Sequence, residues 1–194
     1  FDMGGKDLKL ELPTLLDFRP LTLRHSKISS IFKLQEAIVQ AFRETLKSEG
    51  FTEIFVPTIV PVATEGGAEV FEIKYYDRKA YLAQSPQFYK QMAMAAGFEK
   101  VFEVGPVFRA EPSFTSRHAT EFTGYDAELS YISSHHDVMA EEENAIQHAI
   151  DKIHDRYKEE IQSLFNRTVI VPKTPFPKLT MKETKKILKT LGAY

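Results

Sequence analysis

A chain of 194 residues with 43% hydrophobic and 27% charged residues has the composition of a soluble globular protein with room for a real core. Its net charge of −2 excludes strong non-specific attraction to nucleic acid, leaving only a local basic patch, and the absence of cysteine excludes a disulfide framework, thiol catalysis and a Cys-type metal site. No apolar run approaches the roughly 18 residues of a membrane span and no signal peptide is visible, which fits a cytoplasmic location. The chain starts at Phe1 and stops at Tyr194, just past a helical pattern, and so reads as a fragment of something longer.

Residues 1–27 have weak periodicity and are punctuated by Gly4-Gly5, Pro13 and Pro20. They read as a connector whose Leu15, Leu16, Phe18 and Leu21 pack on the domain. From Ile28 to Glu49 the period becomes helical, with Ile28, Ile31, Phe32, Ile38, Val39, Phe42 and Leu46 on one stripe and Gly50 as the stop. Phe51–Val56 then reads as a short strand ended by Pro57. The segment VATEGGAEV (Val62–Val70) places a Gly66-Gly67 hinge between Glu65 and Glu69; it is either a lid over a site or an ordinary surface turn. Strands are expected at Phe71–Tyr75 and Lys79–Gln84, joined by a turn around Asp77-Arg78.

A helix comes next, with Ser85 as N-cap, Pro86 in the first helical position and Gly97 as its close. Gln87 and Lys90 lie three apart and share a face at its electropositive end. Such a turn suits a carboxylate, and equally an exposed polar surface.

The next segment, VFEVGPVFRAEPSFTSRHATEFTGYDAELSYI (Val101–Ile132), reads as a long β-hairpin. In one arm Phe102, Val104, Phe108 and Ala110 alternate with Glu103, Gly105, Val107, Arg109 and Glu111. In the other, Tyr125, Ala127, Leu129 and Tyr131 alternate with Phe122, Gly124, Asp126 and Glu128. Strand side chains alternate between faces, so one face is apolar and the other gathers cations, carboxylates and an aromatic ring. The loop Pro112–Thr120 adds Arg117 and His118. The polar face fits a polar ligand; it also fits a solvated sheet with scattered ion pairs.

Ser133 or Ser134 caps a long helix from about His135 to Phe165, with Val138, Ala145, Ile146, Ala149, Ile150, Ile153, Tyr157, Ile161 and Leu164 as its apolar stripe. His135, His136, His148 and His154 show no H-E-x-x-H or repeated ligand spacing, so no metal site is assigned. Thr168–Val171 reads as a short strand, and Thr180 with Glu183 as a capping box opening a last helix whose lysines form a wet face. There is no P-loop, no G-x-G-x-x-G and no G-x-S-x-G, so a bound nucleotide would have to sit on the antiparallel sheet.

These strings carry a family likeness. The helix Ile28–Glu49 with its strand and Pro57 resembles motif 1 of the class II aminoacyl-tRNA synthetases. FRAE (Phe108–Glu111), the Arg117-His118 loop and EFTGYDAE (Glu121–Glu128) resemble motif 2. ATEGGAEVF (Ala63–Phe71), LAQSPQFYKQ (Leu82–Gln91) and RHATEFTGYDAE (Arg117–Glu128) are similar to the aspartyl-tRNA synthetases of the archaeal and eukaryotic type. The likeness covers about Leu15 to Leu191. It implies an α+β fold, an antiparallel sheet flanked by helices, with residues 28–194 as the front part of the catalytic domain and motif 1 building a homodimer. The resemblance also implies adenylation of L-aspartate by ATP and transfer of the aspartyl group to tRNA(Asp).

The site roles come from the same likeness. Arg109 would contact the ATP α-phosphate and the amino-acid carboxylate, Glu111 the adenine end, Phe122 the adenine ring, and Arg117 and His118 the β- and γ-phosphates. Gln87 and Lys90 would hold aspartate, with Lys90 on its side-chain carboxylate as a buried cation that asparagine would leave unpaired. Asp126 would accept from the α-ammonium, and Glu65 would close over the amino acid. Motif 3, the acidic Mg2+ ligands near it and the anticodon-binding OB-fold are not in these residues, so Mg2+ is expected with ligands outside this chain. Two other readings remain: an ATP-dependent asparagine-forming amide ligase of the same chemistry, and a non-catalytic paralogue serving as a dimerising or binding module.

Overall fold

The computed structural model describes residues 8–63, 69–112 and 118–193. By its internal contacts the chain divides into two units, Val39–Val138 and the combination of Phe1–Ile38 with Met139–Tyr194. The expected segments at Glu65 and Arg117 lie outside the described residues.

Helices α1 (Leu12–Asp17) and α2 (Arg19–Thr22) stand where a connector was expected; each has a proline in its first turn. They are joined by a hydrogen bond from Thr22 Oγ1 to the Leu15 carbonyl at 2.9 Å, while Leu16, Phe18 and Leu21 stay about half exposed. The 3.6-residue apolar repeat forms α3 (Ser26–Ser48), within a residue or two of the expected limits. Its end is fixed by Gly50 at φ +84, where Phe51 N–H reaches the Leu46 carbonyl at 2.9 Å and Gly50 N–H that of Lys47 at 3.2 Å. This turn delivers Phe51 into the core beside Leu46 and Phe102.

Within the unit Val39–Val138, two three-stranded sheets extend from this corner. β1 (Thr52–Glu53) runs parallel to β5 (Lys100–Phe108), and β5 pairs antiparallel with β6 (Glu121–Leu129). The expected strand Phe51–Val56 is thus only two residues long. Ile54 makes one more bond, to the Phe102 carbonyl at 2.8 Å, and Phe55 then stands exposed ahead of Pro57. The second sheet orders β2 (Ile59–Val60), β4 (Arg78–Leu82) and β3 (Glu72–Tyr75), all antiparallel, with a tight turn at Tyr76, φ +57. β2 is too short to announce itself by alternation and was not expected. The sheets are stitched end to end: Phe108 N–H bonds the Ala83 carbonyl at 2.9 Å, and Ala110 N–H that of Glu69 at 3.0 Å. That stitch brings α4 (Gln87–Ala95) beside the hairpin. Its cap is Pro86 rather than Ser85, although Ser85 Oγ still accepts from Gln87 N–H at 3.3 Å.

The apolar hairpin face packs as the alternation requires, with Val104, Tyr125 and Leu129 against Leu46, Phe51 and Phe102. Tyr125 lies 4.6 Å ring to ring from Phe42 and donates its hydroxyl to the Phe42 carbonyl at 2.9 Å. Burial pushes that hydroxyl's pKa up, so it remains a donor. The second arm ends at Leu129, earlier than expected: Tyr131 has φ +58 and is 90% exposed.

In the other unit, Ala145, Ala149, Ile153 and Tyr157 of α5 (His135–Phe165) are buried at helical spacing. The helix opens with Ser134 Oγ accepting from His136 N–H and Asp137 accepting from the Ser133 and Ser134 N–H groups. Thr168–Val171 forms no strand. It makes no ladder and Ile170 is exposed; a strand exists only where a neighbour takes its hydrogen bonds. Phe176 N–H is tied to Glu143 of α5 at 3.1 Å. The last helix, α6 (Met181–Thr190), starts at the Thr180–Glu183 capping box. Among the described residues no helix is long and apolar enough to cross a membrane.

Glu53 ties the corner together. It takes Arg43 Nε at 2.8 Å and Lys47 Nζ at 2.9 Å, both from α3. Burial pushes its pKa up, but those two cations outweigh burial and hold it below the usual carboxylate value. A depressed folded pKa stabilises the fold above the unfolded value and loses that effect as pH falls through the folded one. Glu53→Gln is therefore expected to cost about 1–2 kcal/mol at neutral pH and almost nothing in strong acid. Urea unfolding of both proteins at about pH 7 and about pH 2 checks this; an equal loss at both would contradict the ion-pair account.

Candidate active site

The β5–β6 register places Val101 opposite Glu128, Glu103 opposite Asp126, Gly105 opposite Gly124 and Val107 opposite Phe122. Directly paired residues point to the same side of a sheet. The polar face therefore has an acidic end, a glycine middle and an aromatic end.

At the acidic end, α4 inserts Lys90, which is 4% exposed. Its ammonium reaches Asp126 Oδ1 at 3.2 Å, the Ala127 carbonyl at 3.3 Å and Glu128 Oε2 at 3.4 Å. One turn earlier, Gln87 Nε2 makes a long contact with Glu128 Oε2 at 3.5 Å. Two of the ammonium's three donors are hydrogen-bonded, to Asp126 and the Ala127 carbonyl, and Glu128 adds an ion pair. The expectation that asparagine would leave the Lys90 charge unpaired took no account of these two carboxylates, which already face it.

In the middle, the two glycines are required. A Cβ on Gly105 would overlap Glu103 Oε1, and one on Gly124 would come within 2.7 Å of Val107 Cγ2 and 3.1 Å of Asp126 Oδ2. Glu103 and Asp126 thus lean along the face, side by side, over the glycine pair. Glu103 is 8% exposed, and no hydrogen bond links its side chain to any described residue. Burial raises its pKa, the neighbouring Asp126 charge raises it further, and Lys90 opposes both.

At the aromatic end, the Arg109 guanidinium lies 5.5 Å from the centre of the Phe122 ring. Arg109 N–H bonds the Thr120 carbonyl at 2.9 Å, extending the hairpin past Phe108. Its side-chain Nε is buried without a hydrogen-bond partner among the described residues. Phe122 keeps 39% of its surface exposed beneath it. Four residues separate Asp126 from Phe122, about 13 Å along the strand.

The structure thus brings Gln87, Lys90 and Asp126 together at one end, and Arg109 and Phe122 at the other. Glu111 is half-buried just beyond β5, and His118 is exposed at the end of the loop. Glu65 and Arg117 lie outside the described residues. Glu103 and Glu128 were assigned no role from the sequence. The signal was present in the alternation, which placed both on the polar face. For Mg2+, the described residues show no group of three His, Cys, Asp or Glu side chains that could hold a metal. The carboxylates that do converge are centred on the Lys90 ammonium, so they do not fit that ion. A cavity of about 490 Å3 beside α4 is lined by apolar groups such as Val60, Phe88 and Met92, and none of the charged residues above lines it.

The family model for class II tRNA synthetases (D, K and N) matches residues 11–192. The chain belongs to this family. It is 44% identical over 191 residues to the aspartate–tRNA(Asp) ligase of Pyrococcus horikoshii, covering 98% of this chain and 43% of that one. It is equally similar to the aspartate–tRNA(Asp/Asn) ligase of Methanopyrus kandleri, at 44% identity with 98% and 44% covered. Among solved structures, the asparaginyl-tRNA synthetase of Pyrococcus horikoshii complexed with asparaginyl-adenylate aligns with a TM-score of 0.83 at 36% identity, over 95% of this chain and 42% of that one. The α+β class II synthetase fold is therefore as expected. The chain spans less than half the length of these curated relatives.

For this class II face, the glycine floor makes a test. Gly124→Ala is expected to cost about 1–3 kcal/mol, because the branched Val107 side chain cannot rotate clear. Gly105→Ala should cost less, since the Glu103 carboxyl is the mobile end of its side chain. Denaturant unfolding of the two variants checks the order; the reverse order contradicts the packing described.

Proposed function

We propose that the chain is the aspartate- and ATP-binding part of an aspartate–tRNA ligase, which forms aspartyl-adenylate and passes the aspartyl group to the 3′ end of tRNA(Asp). The observation that carries this reading is the two-ended hairpin face: a lysine–carboxylate cluster at one end and an arginine over an aromatic ring at the other, separated by a bare glycine floor. The curated relatives at 44% identity support the choice of amino acid.

In this reading an oxygen of the aspartate α-carboxylate attacks the α-phosphorus of ATP in line. The bond from that phosphorus to the bridging oxygen breaks, and pyrophosphate leaves with the electron pair. A terminal ribose hydroxyl of tRNA then attacks the adenylate carbonyl, and AMP leaves. Such steps need positioning and neutralisation of charge more than a covalent nucleophile. Arg109 supplies both at the α-phosphate, its planar fork matching two oxygens. To do so it moves off Phe122 and gives the ring face to the adenine. The cation–π contact it loses is worth only about 0.5–1 kcal/mol at an exposed site, and an unpaired Nε is already available. Glu111 and His118 are placed by the reading at the adenine and phosphate ends.

At the other end the aspartate side chain takes one N–H of Lys90, most cheaply the one held by the neutral Ala127 carbonyl. Asp126 and Gln87 flank the α-ammonium and the side chain. Asparagine offers an uncharged oxygen at the same place, so Lys90 alone prefers aspartate by about 1–2 kcal/mol, the difference between charged and neutral hydrogen bonds. The reading further places the protein in the cytoplasm as a homodimer built on α3 and β1, with Mg2+ held by residues outside this chain.

Aspartate-dependent exchange of pyrophosphate into ATP, measured on the full-length protein, tests adenylation; none would sink the reading. Charging of tRNA against ammonia-dependent release of asparagine separates it from the amide-ligase alternative. Lys90→Ala is expected to raise the KM for aspartate at least about tenfold while leaving that for ATP within about threefold. Arg109→Ala is expected to lower kcat by about 10²–10³. Equal losses for both ligands in Lys90→Ala would contradict its assignment.

A further inference from the structure

We infer that Glu103 is a positioning and specificity residue that must carry a proton for the Lys90 pocket to accept a ligand's side-chain carboxylate. The inference rests on the aspartate-binding reading above and adds a residue to which neither the resemblance nor the comparisons give a role.

The charges that face Glu103 come from several elements. From α4 comes Lys90, with the neutral Gln87 one turn away; from β6 come Asp126 and Glu128. From β1 comes the field of Glu53, itself clasped by Arg43 and Lys47 of α3. On its own strand the next charged residue toward the aromatic end is Arg109, which is stacked on Phe122. Lys90 is thus the one cation at this end among the described residues, and it already donates to Asp126 and the Ala127 carbonyl and pairs with Glu128. Lys90, Asp126 and Glu128 together carry one net negative charge before Glu103 is counted. With Glu103 ionised the cluster would carry two, and a ligand carboxylate entering at Lys90 would have to overcome both.

Geometry makes Glu103 the group that responds. Its side chain is buried, lacks a hydrogen-bonding partner among the described residues, and leans with Asp126 over the Gly105–Gly124 pair, the same floor on which a ligand would lie. Burial and Asp126 both favour its neutral form. Neutral Glu103 removes one charge from the path of the incoming carboxylate and presents an O–H donor in its place. Ionised Glu103 closes the pocket to anions. Asp126 and Glu128 are already engaged by the Lys90 ammonium, at 3.2 and 3.4 Å.

The test is the pH profile of the aspartate KM in pyrophosphate exchange by the full-length protein, with the KM for ATP as the internal control. In the wild type, the aspartate KM is expected to be flat below an inflection and to rise about tenfold per pH unit above it, as for any ligand that binds only the protonated form. Glu103→Gln, a neutral mimic of the protonated acid, is expected to keep the low-pH KM and abolish the rise. Asp126→Asn removes the neighbouring negative charge and is expected to move the inflection to lower pH, whatever it does to the absolute KM. This second shift carries the test if Glu103→Gln fails to fold, which a thermal melt reveals. A rise that persists unchanged in Glu103→Gln belongs to the α-ammonium of the substrate and overturns the inference, as does a wild-type KM independent of pH. Absence of exchange at every pH overturns the aspartate reading itself, and the inference with it.

Discussion

The pairing of Gly105 with Gly124 across the β5–β6 ladder is the constraint on which the rest depends. It fixes Glu103 against Asp126 on one side and Val107 against Phe122 on the other. A slip of one residue would send every one of these side chains to the opposite face. What prevents the slip lies on the other side of the sheet. Phe102, Val104, Tyr125 and Leu129 are committed to the core with Leu46 and Phe51, and the Tyr125 hydroxyl is pinned to the Phe42 carbonyl. The apolar face holds the register; the polar face inherits its order from it. Catalytic groups on a strand pair locked in this way are positioned more firmly than groups on a free loop.

The two cations of the face have different tasks, and their chemistry matches. A buried charge is tolerated only when paired, and an ammonium is a compact source of three donors that can be aimed separately. Lys90 uses two in hydrogen bonds and adds an ion pair to Glu128, tying α4 to β6. That makes the acidic end a rigid block. Among the described residues Arg109 is held through its backbone and a stacking contact worth little, so its planar fork can turn toward an anion. One end is prebuilt and the other adjusts, which suits the proposed reading of a small amino acid and a larger nucleotide meeting on one surface.

Much of this was legible in the sequence because sheet alternation is a rigid rule. Reading every second residue along each arm of the hairpin yields both faces, and the helices α3 and α5 emerge from their period, although Ile31, Phe32 and Ile38 of the α3 stripe and Val138 of the α5 stripe are exposed. The failures share one physical cause, long-range pairing. Thr168–Val171 has the β-branched composition of a strand but no neighbour to bond, while Ile59–Val60 has almost no pattern yet finds β4. Tyr131 continues the alternation on paper, but the chain has already turned at φ +58. Lys90 is the instructive case. Its place on the helix was clear, but its partners lie 36 to 38 residues further along, so its charge looked unmatched.

The matched charge of Lys90 changes where selectivity must come from. A lone buried cation would choose an anionic ligand simply by leaving its own charge unpaired in the wrong complex. Lys90 cannot act so, because it is satisfied in the absence of ligand. Discrimination then becomes a property of the whole cluster: how much negative charge Asp126, Glu128 and Glu103 together present to what arrives. Two of those carboxylates are fixed by the lysine. The third, Glu103, lies beside them with no hydrogen bond to a described residue and with its neutral form favoured by burial. In a site with so few charges, a single proton is a large fraction of the total, and the residue that holds it has as strong a claim on specificity as the cation the ligand touches.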